Sequence, residues 1–395
     1  MYIIDIKIGD YMNDKKFRCV TFSLKNKLYI IIFCSFILCL VLFSNTNLTS
    51  AKEGLFLWAN SVVPTLFPFF VATELLNNTN FIPMLGKYLN KFMRPIFKVP
   101  GEGAYAFLMG MISGYPVGAK IVCHLREKGL CTKDEGERML AFTNNSGPLF
   151  IIGTVGISLF GNQTIGIILL ITHILACITV GVLFGFTKKN ENIKWDRYNV
   201  KNRNSEEKTL GGILGDSIKN AISTILIIGG FVVIFSIIIS ILNNSYILDM
   251  ISKFISPVLT NFGMNFEFTK PILAGIIELT NGLKLVSETA IVNYNLSIII
   301  SAFLLGFGGI SILLQVSSIV AKTDLSIKKY VIGKFLQGIF ASIYVFLIIN
   351  FFPNINVQNV NIELITSFCL IIILCILVCF IVKIFLKKTL QTKKM

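Results

Sequence analysis

Four stretches of the chain, Leu28 to Phe43, Gly166 to Phe186, Ile222 to Leu242 and Leu364 to Val382, contain no Asp, Glu, Lys or Arg. An α-helix rises 1.5 Å per residue, so about 20 apolar residues cross the roughly 30 Å of hydrocarbon in a bilayer. Lipid offers no partner to backbone N–H and C=O groups, which leaves helices and closed barrels as the only spanning structures. Runs this long and this uniformly apolar select helices. Charged residues make up 14% of the chain, against about a quarter in a soluble domain. The sequence predicts an all-α polytopic membrane protein in a lipid bilayer. It excludes a soluble enzyme, a secreted disulfide scaffold and a disordered chain.

The formal charge of +15 comes from 36 Lys and Arg against 21 Asp and Glu. The basic residues gather between the apolar runs, in 1–27, 87–98, 126–138, 188–208, 322–329 and 383–394. Stretches 45–53, 243–270, 291–297 and 351–363 carry only Lys52, Lys253 and Lys270. This is the asymmetry that the positive-inside rule requires of cytoplasmic loops, and it places both termini in the cytoplasm. No nucleic-acid partner is expected. The nine cysteines form no CxxC pair and most lie in apolar runs, so neither a metal nor a disulfide role is expected. The first apolar run lacks a cleavage site behind it and reads as a retained span at 28–44.

Basic stretches flank segment 101–122 on both sides, so it enters and leaves on one face, with a turn at Gly114-Tyr115-Pro116. Segment 271–290 lies between two basic-poor stretches, breaks at Asn281-Gly282, and reads as the opposite hairpin. The halves also resemble each other. Gly54 and Gly215 lie 161 apart, as do Ala141-Phe142 and Ala302-Phe303, while Gly110 and Lys120 precede Gly275 and Lys284 by 164 to 165. These signals predict an inverted-topology repeat, an architecture of secondary transporters. The expected plan is a cytoplasmic arm 1–27, a span at 28–44, a first repeat at 54–186, a linker 187–210, a second repeat at 211–352 and a C-terminal span at 363–386. That makes about eight transmembrane helices plus two re-entrant hairpins.

Polar residues at membrane depth mark the candidate site, because each needs a partner that lipid cannot supply. Asn144, Asn145 and Ser146 precede Gly147-Pro148, a break that frees backbone groups to face a cavity and starts a half-helix whose amides favour an anion. The matching break Gly306 to Ser311 is followed by Gln315. Glu278, Thr280 and Asn281 lie at the second hairpin tip, and Lys120 and Lys284 follow the two turns. Snorkelling to the interface competes with ligand binding for both lysines. His173 reads as a hydrogen-bonded packing residue rather than a proton relay, and Glu74, Asp216 and Lys219 as interfacial. No GxxxxGK[ST] or HExxH motif occurs, so no enzymatic activity and no catalytic residue are expected.

The strings Phe67-Pro68-Phe69-Phe70, Ser113 to Lys120, Asn144 to Phe150, Glu278 to Gly282 and Gly306 to Gly309 closely resemble the YlbJ (SpoVV) family of sporulation membrane proteins. That family carries the nucleoside-recognition Gate domain and is similar to concentrative nucleoside transporters. The resemblance runs from about Gly54 to Tyr344 and leaves out the arm 1–27. It implies movement of dipicolinic acid, an anionic aromatic dicarboxylate, from the mother cell across the outer forespore membrane. A planar dianion wants cationic or amide-rich poles on either side of an apolar slot. Lys120, Lys284, Asn144, Asn145 and the Pro148 half-helix are candidates for the poles, with Tyr115 or Phe150 against the ring. No cofactor is expected, and Na+ or H+ coupling stays open, with Glu278 as its natural carrier. A cation-coupled nucleoside or nucleobase carrier and a non-transporting sporulation scaffold remain alternatives. So do a homo-oligomer and other sporulation membrane proteins as partners.

Overall fold

The computed structural model describes residues 26–79, 81–186, 209–261 and 264–351. The C-terminal span 363–386, most of the arm 1–27 and most of the linker 187–210 lie outside these residues. Among the described residues the fold is helical throughout and contains no strand.

Helix α1 (Asn26–Leu42) meets α2 (Ser44–Leu57) at 98°, so the span expected at 28–44 is one arm of a bent pair. The angle falls at Phe43, whose φ of −107° and ψ of 34° are not helical. A π-helical turn (Trp58–Val62) then leads into α3 (Val63–Asn77).

Helix α4 (Phe81–Phe97) and, in the second half, α10 (Ile247–Asn261) are amphipathic and each carries an internal proline. The stretches read as loops at 87–98 and 243–270 are therefore largely helical. Their basic and polar residues occupy one helix face, and this period is easily missed where charge alone is being followed.

Helices α5 (Gly103–Ser113) and α6 (Val117–Glu127) fold against each other, with Gly110 facing Gly118. Helix α7 (Lys133–Thr143) has a capping box. The Thr132 hydroxyl accepts from the Glu135 amide while the Glu135 carboxylate accepts from the Thr132 amide. It breaks at Asn144 and resumes as a π-helical segment (Leu149–Leu159), before α8 (Gln163–Phe186).

The second half opens on the long α9 (Leu210–Asn244). After α10 come α11 (Thr269–Ile277) and α12 (Leu279–Glu288), folded against each other with Gly275 facing Gly282. Helices α13 (Tyr294–Phe307) and α14 (Gly309–Val320) form one broken rod, and α15 (Lys328–Phe351) closes the bundle.

Among the described residues four helices are long and apolar enough to cross a membrane: α8, α9, the α13–α14 rod and α15. The bent pair Asn26–Asn60 makes up to five.

Three of the basic stretches meet at one end of the bundle. Arg126 on α6 forms a two-pronged pair with Asp324, both contacts at 2.9 Å. Arg94 pairs with Glu135 at 3.0 Å, and Asp134 holds both Arg138 and Lys329. The Arg126 guanidinium holds the Asp324 carboxyl below the ordinary carboxylate range. Apolar packing adjoins these pairs. Phe97 stacks on Phe142 with ring centroids 4.9 Å apart, tying α4 to α7.

Candidate functional site

Four helix breaks converge on one place. The first joins α5 to α6, where Gly114 takes a φ of +85° that a side chain would strain. The second is the segment 144–147. They touch, since a Cβ on Gly114 would lie 3.0 Å from the Gly147 amide. The third is Glu278, in extended backbone between α11 and α12. The fourth is Gly308-Gly309, with φ values of +85° and +82°. A Cβ on Gly309 would lie 3.0 Å from Gly275 O and 3.3 Å from Leu279 N, so the third and fourth also touch. Tyr115 joins the two pairs, its hydroxyl donating to Leu305 O at 3.2 Å.

Several of the freed polar groups find partners here. Asn144 is fully buried and donates to the Tyr330 hydroxyl at 2.9 Å, while its Oδ1 accepts from the Ala119 amide at 3.3 Å. Asn145 donates to Phe142 O at 2.8 Å, and its Oδ1 accepts from Gln337 Nε2 at 2.9 Å and Lys334 Nζ at 3.2 Å. The Ser146 amide donates to His173 Nε2 at 3.3 Å. Pro148 caps the π-helical segment. Glu278 caps α12. Its two carboxylate oxygens accept from the amides of Thr280 and Asn281 at 3.0 and 2.8 Å, and the Asn281 side chain donates to it at 3.0 Å.

Two polar clefts flank this centre. The larger, about 540 Å³, is lined by Glu53, Ser236, Ser240, Asn243 and Asn281 among others. The smaller, about 300 Å³, is lined by Glu74, Pro116, Lys120, His124, Asn220, Thr224 and Gln315 among others. Both run along α9, which gives Asn220 to Ile228 to one and Ser236 to Asn244 to the other. Sixteen residues of helix separate their midpoints by about 24 Å, most of a bilayer core. Each cleft ends at the tip of a different hairpin.

Tyr115, Asn144, Asn145, Ser146 and Pro148 meet at the breaks as the sequence placed them. Lys120 reaches Glu74 at 2.6 Å and Thr224 at 2.9 Å, so Glu74 on α3 is its buried partner. Gln315 is buried beside the same cleft. Lys284 is exposed on α12 and lines neither cleft, so the structure does not bring it to Lys120. His173, read as a hydrogen-bonded packing residue, is buried and accepts from the Ser146 amide. Sequence reasoning missed Tyr330, Lys334 and Gln337, all fully buried on α15. Among the described residues no group of acidic, His and Cys side chains is arranged to hold a metal ion.

These features define an integral membrane protein of broken helices, with a shared polar centre between two clefts. Residues 59–189 and 225–325 match the Gate family, described as nucleoside recognition. The sporulation integral membrane protein YlbJ of Bacillus subtilis (strain 168) is 38% identical over 313 residues, 76% of each chain. No solved structure gives a significant match. The chain belongs to the Gate family and, within it, to the family of YlbJ, as its motifs indicate.

Proposed function

We propose that this protein is a secondary transporter of sporulation that moves dipicolinate from the mother cell across the outer forespore membrane by alternating access. The observation that carries the transport reading is the pair of clefts meeting opposite sides of one plug of broken helices. Closing one cleft while opening the other moves a ligand past the plug without a continuous pore. Lys120 and Lys322 line the smaller cleft beside Glu74 and Glu127, so a ligand carboxylate would bind by taking the place of Glu74 on Lys120, and kinship with YlbJ supports the sporulation setting. The chain acts as a carrier and not as an enzyme. Moving a dianion out of an inside-negative compartment is favoured by about 4.6 kcal/mol per 100 mV.

The membrane plan that accompanies this reading has about eight spans, two re-entrant hairpins, an inverted repeat over 54–186 and 211–352, and both termini in the cytoplasm. Its supports are physical. Helices of 9 to 11 residues such as α5, α6, α11 and α12 reach only about half of the hydrocarbon thickness. The glycine contacts that close the two hairpins also recur at the offset of 164 to 165. Single cysteines at Lys98 and Gly129 are expected to react with an impermeant thiol reagent from the cytoplasmic side, and one at Ile291 from the other. Labelling of Lys98 and Gly129 from opposite sides would remove the first hairpin.

The direct test is dipicolinate flux in vesicles holding this protein alone, with nucleosides as competitors. Saturable flux indifferent to nucleosides is expected, and Lys120→Gln is expected to raise the half-saturating concentration at least tenfold. Absent flux from correctly inserted protein would favour a scaffold. The larger cleft favours a second reading, nucleoside transport. Its amides and hydroxyls surround a single carboxylate, Glu53, a lining suited to an uncharged hydrogen-bonding ligand. Nucleoside flux that dipicolinate does not inhibit would establish it.

A further inference from the structure

Helix α7 stops at Thr143, and the last carbonyls of a helix form an end with partial negative charge. Helix α15 passes directly over that end. A Cβ on Gly333 would lie 2.7 Å from Ala141 O. The next residue, Lys334, is fully buried, and its surroundings are the unusual feature. Its ammonium donates to Gln337 Oε1 at 2.7 Å and to Asn145 Oδ1 at 3.2 Å, and it lies over the Tyr115 ring, 5.2 Å from the centroid. An ammonium has three donors, and these three neighbours account for them. All three are neutral. Among the described residues no carboxylate lies within ion-pairing distance of Lys334.

A buried charge is ordinarily paired with an opposite one. Here two amide oxygens and an aromatic face take that place. This donor set is the one that holds a bare monovalent cation, through carbonyl dipoles and ring quadrupole. An ammonium kept for an anionic ligand would leave a donor free and face a cleft. Lys334 does neither, since it lines neither cleft.

We propose that the α7 break is a monovalent-cation site which the chain fills permanently with its own Lys334 ammonium. A tethered cation cannot leave with a transported ligand. The break therefore keeps its shape without free Na+ or K+, and an ion gradient cannot act through it. The opposite break is built in the same way with the opposite sign, since Glu278 places a carboxylate on the amide end of α12. The proposal concerns occupancy of the break and holds whatever ligand the protein carries.

The experiment is thermal unfolding of the purified full chain in detergent, in NaCl, KCl, methylammonium chloride and choline chloride at equal ionic strength. The wild-type melting temperature is expected to be the same in all four. Lys334→Ala opens the cage. It is expected to melt roughly 5–10 °C lower in choline, with at least half of the loss restored, saturably, by methylammonium or Na+. Lys334→Met removes the charge but keeps the volume, and is expected to melt low in every salt. Selective stabilisation of the wild type by Na+ or K+ over choline overturns the proposal. So does a Lys334→Ala variant that melts alike in all four salts. If Lys334→Ala does not fold, Lys334→Met decides, because wild-type stability in that variant shows that the charge holds nothing.

Discussion

Gly282→Ala is expected to yield little or no monodisperse protein. The added Cβ would lie 2.0 Å from the Cα and 2.4 Å from the N of Gly275, the residue facing it across the α11–α12 hairpin. Both obstacles are backbone, so no rotamer change can relieve them. Overpacking a core commonly costs 1–3 kcal/mol when side chains can shift, and a backbone clash this close should cost about 4 kcal/mol or more. The hairpin positions Glu278 and Asn281, so prying it apart also removes the cap of α12 and one wall of the larger cleft. Gly230→Ala is the control. It sits on an exposed face of α9 with nothing within 4 Å of its Cβ. There alanine gains helix propensity, and a change within about 1 kcal/mol is expected. Size-exclusion profiles and melting curves of the two variants, purified in parallel, check the contrast. A monodisperse Gly282→Ala protein with wild-type melting would mean that the hairpin is not packed as described.

The centre of this site was legible because its backbone is broken by residues that have no other reason to lie in lipid. Gly114-Tyr115-Pro116, Asn144 to Pro148 and Gly308-Gly309 interrupt apolar runs, and the structure folds these interruptions together with the one at Glu278. What stayed hidden was the fourth wall. Lys334 follows the basic stretch 322–329 by only five residues, so along the chain it reads as one more interfacial lysine. Its burial depends on Gly333 and Gly338, which let α15 press against α7 and α13, and that is a tertiary fact. Lys120 and Lys284 show the opposite error. Matching repeat positions suggested matching roles, yet α3 brings Glu74 to Lys120, while Lys284 is exposed on α12. Glu278 is half-way between. Its intramembrane charge marked it from sequence, but only the extended backbone at the break shows that the carboxylate is spent on the amides of Thr280 and Asn281.

Asn145→Leu should produce the largest loss of any isosteric change at the centre. The side chain makes three hydrogen bonds, accepting from Lys334 and Gln337 and donating to Phe142 O, in a position fully closed to solvent. Leucine fills the volume and makes none of them. One bond to a charged donor and two neutral ones together amount to about 3–5 kcal/mol. The larger consequence is for the neighbours, since Lys334 is left with Gln337 and a ring as its only partners in a site without a carboxylate. Flux per folded molecule is expected to fall at least 100-fold, because the Ser146-Gly147 turn loses the contact that fixes it against α15. Asn145→Asp keeps an oxygen on both Lys334 and Gln337 and adds a counter-charge, so it is expected to recover most of the stability while losing the bond to Phe142 O. Lys284→Gln, on the exposed face of α12, should leave both flux and melting unchanged. Wild-type flux and melting in Asn145→Leu would show that the polar centre is packing alone, and the plug would then have to be sought along α9, where Gly229 packs on Trp58 between the two clefts.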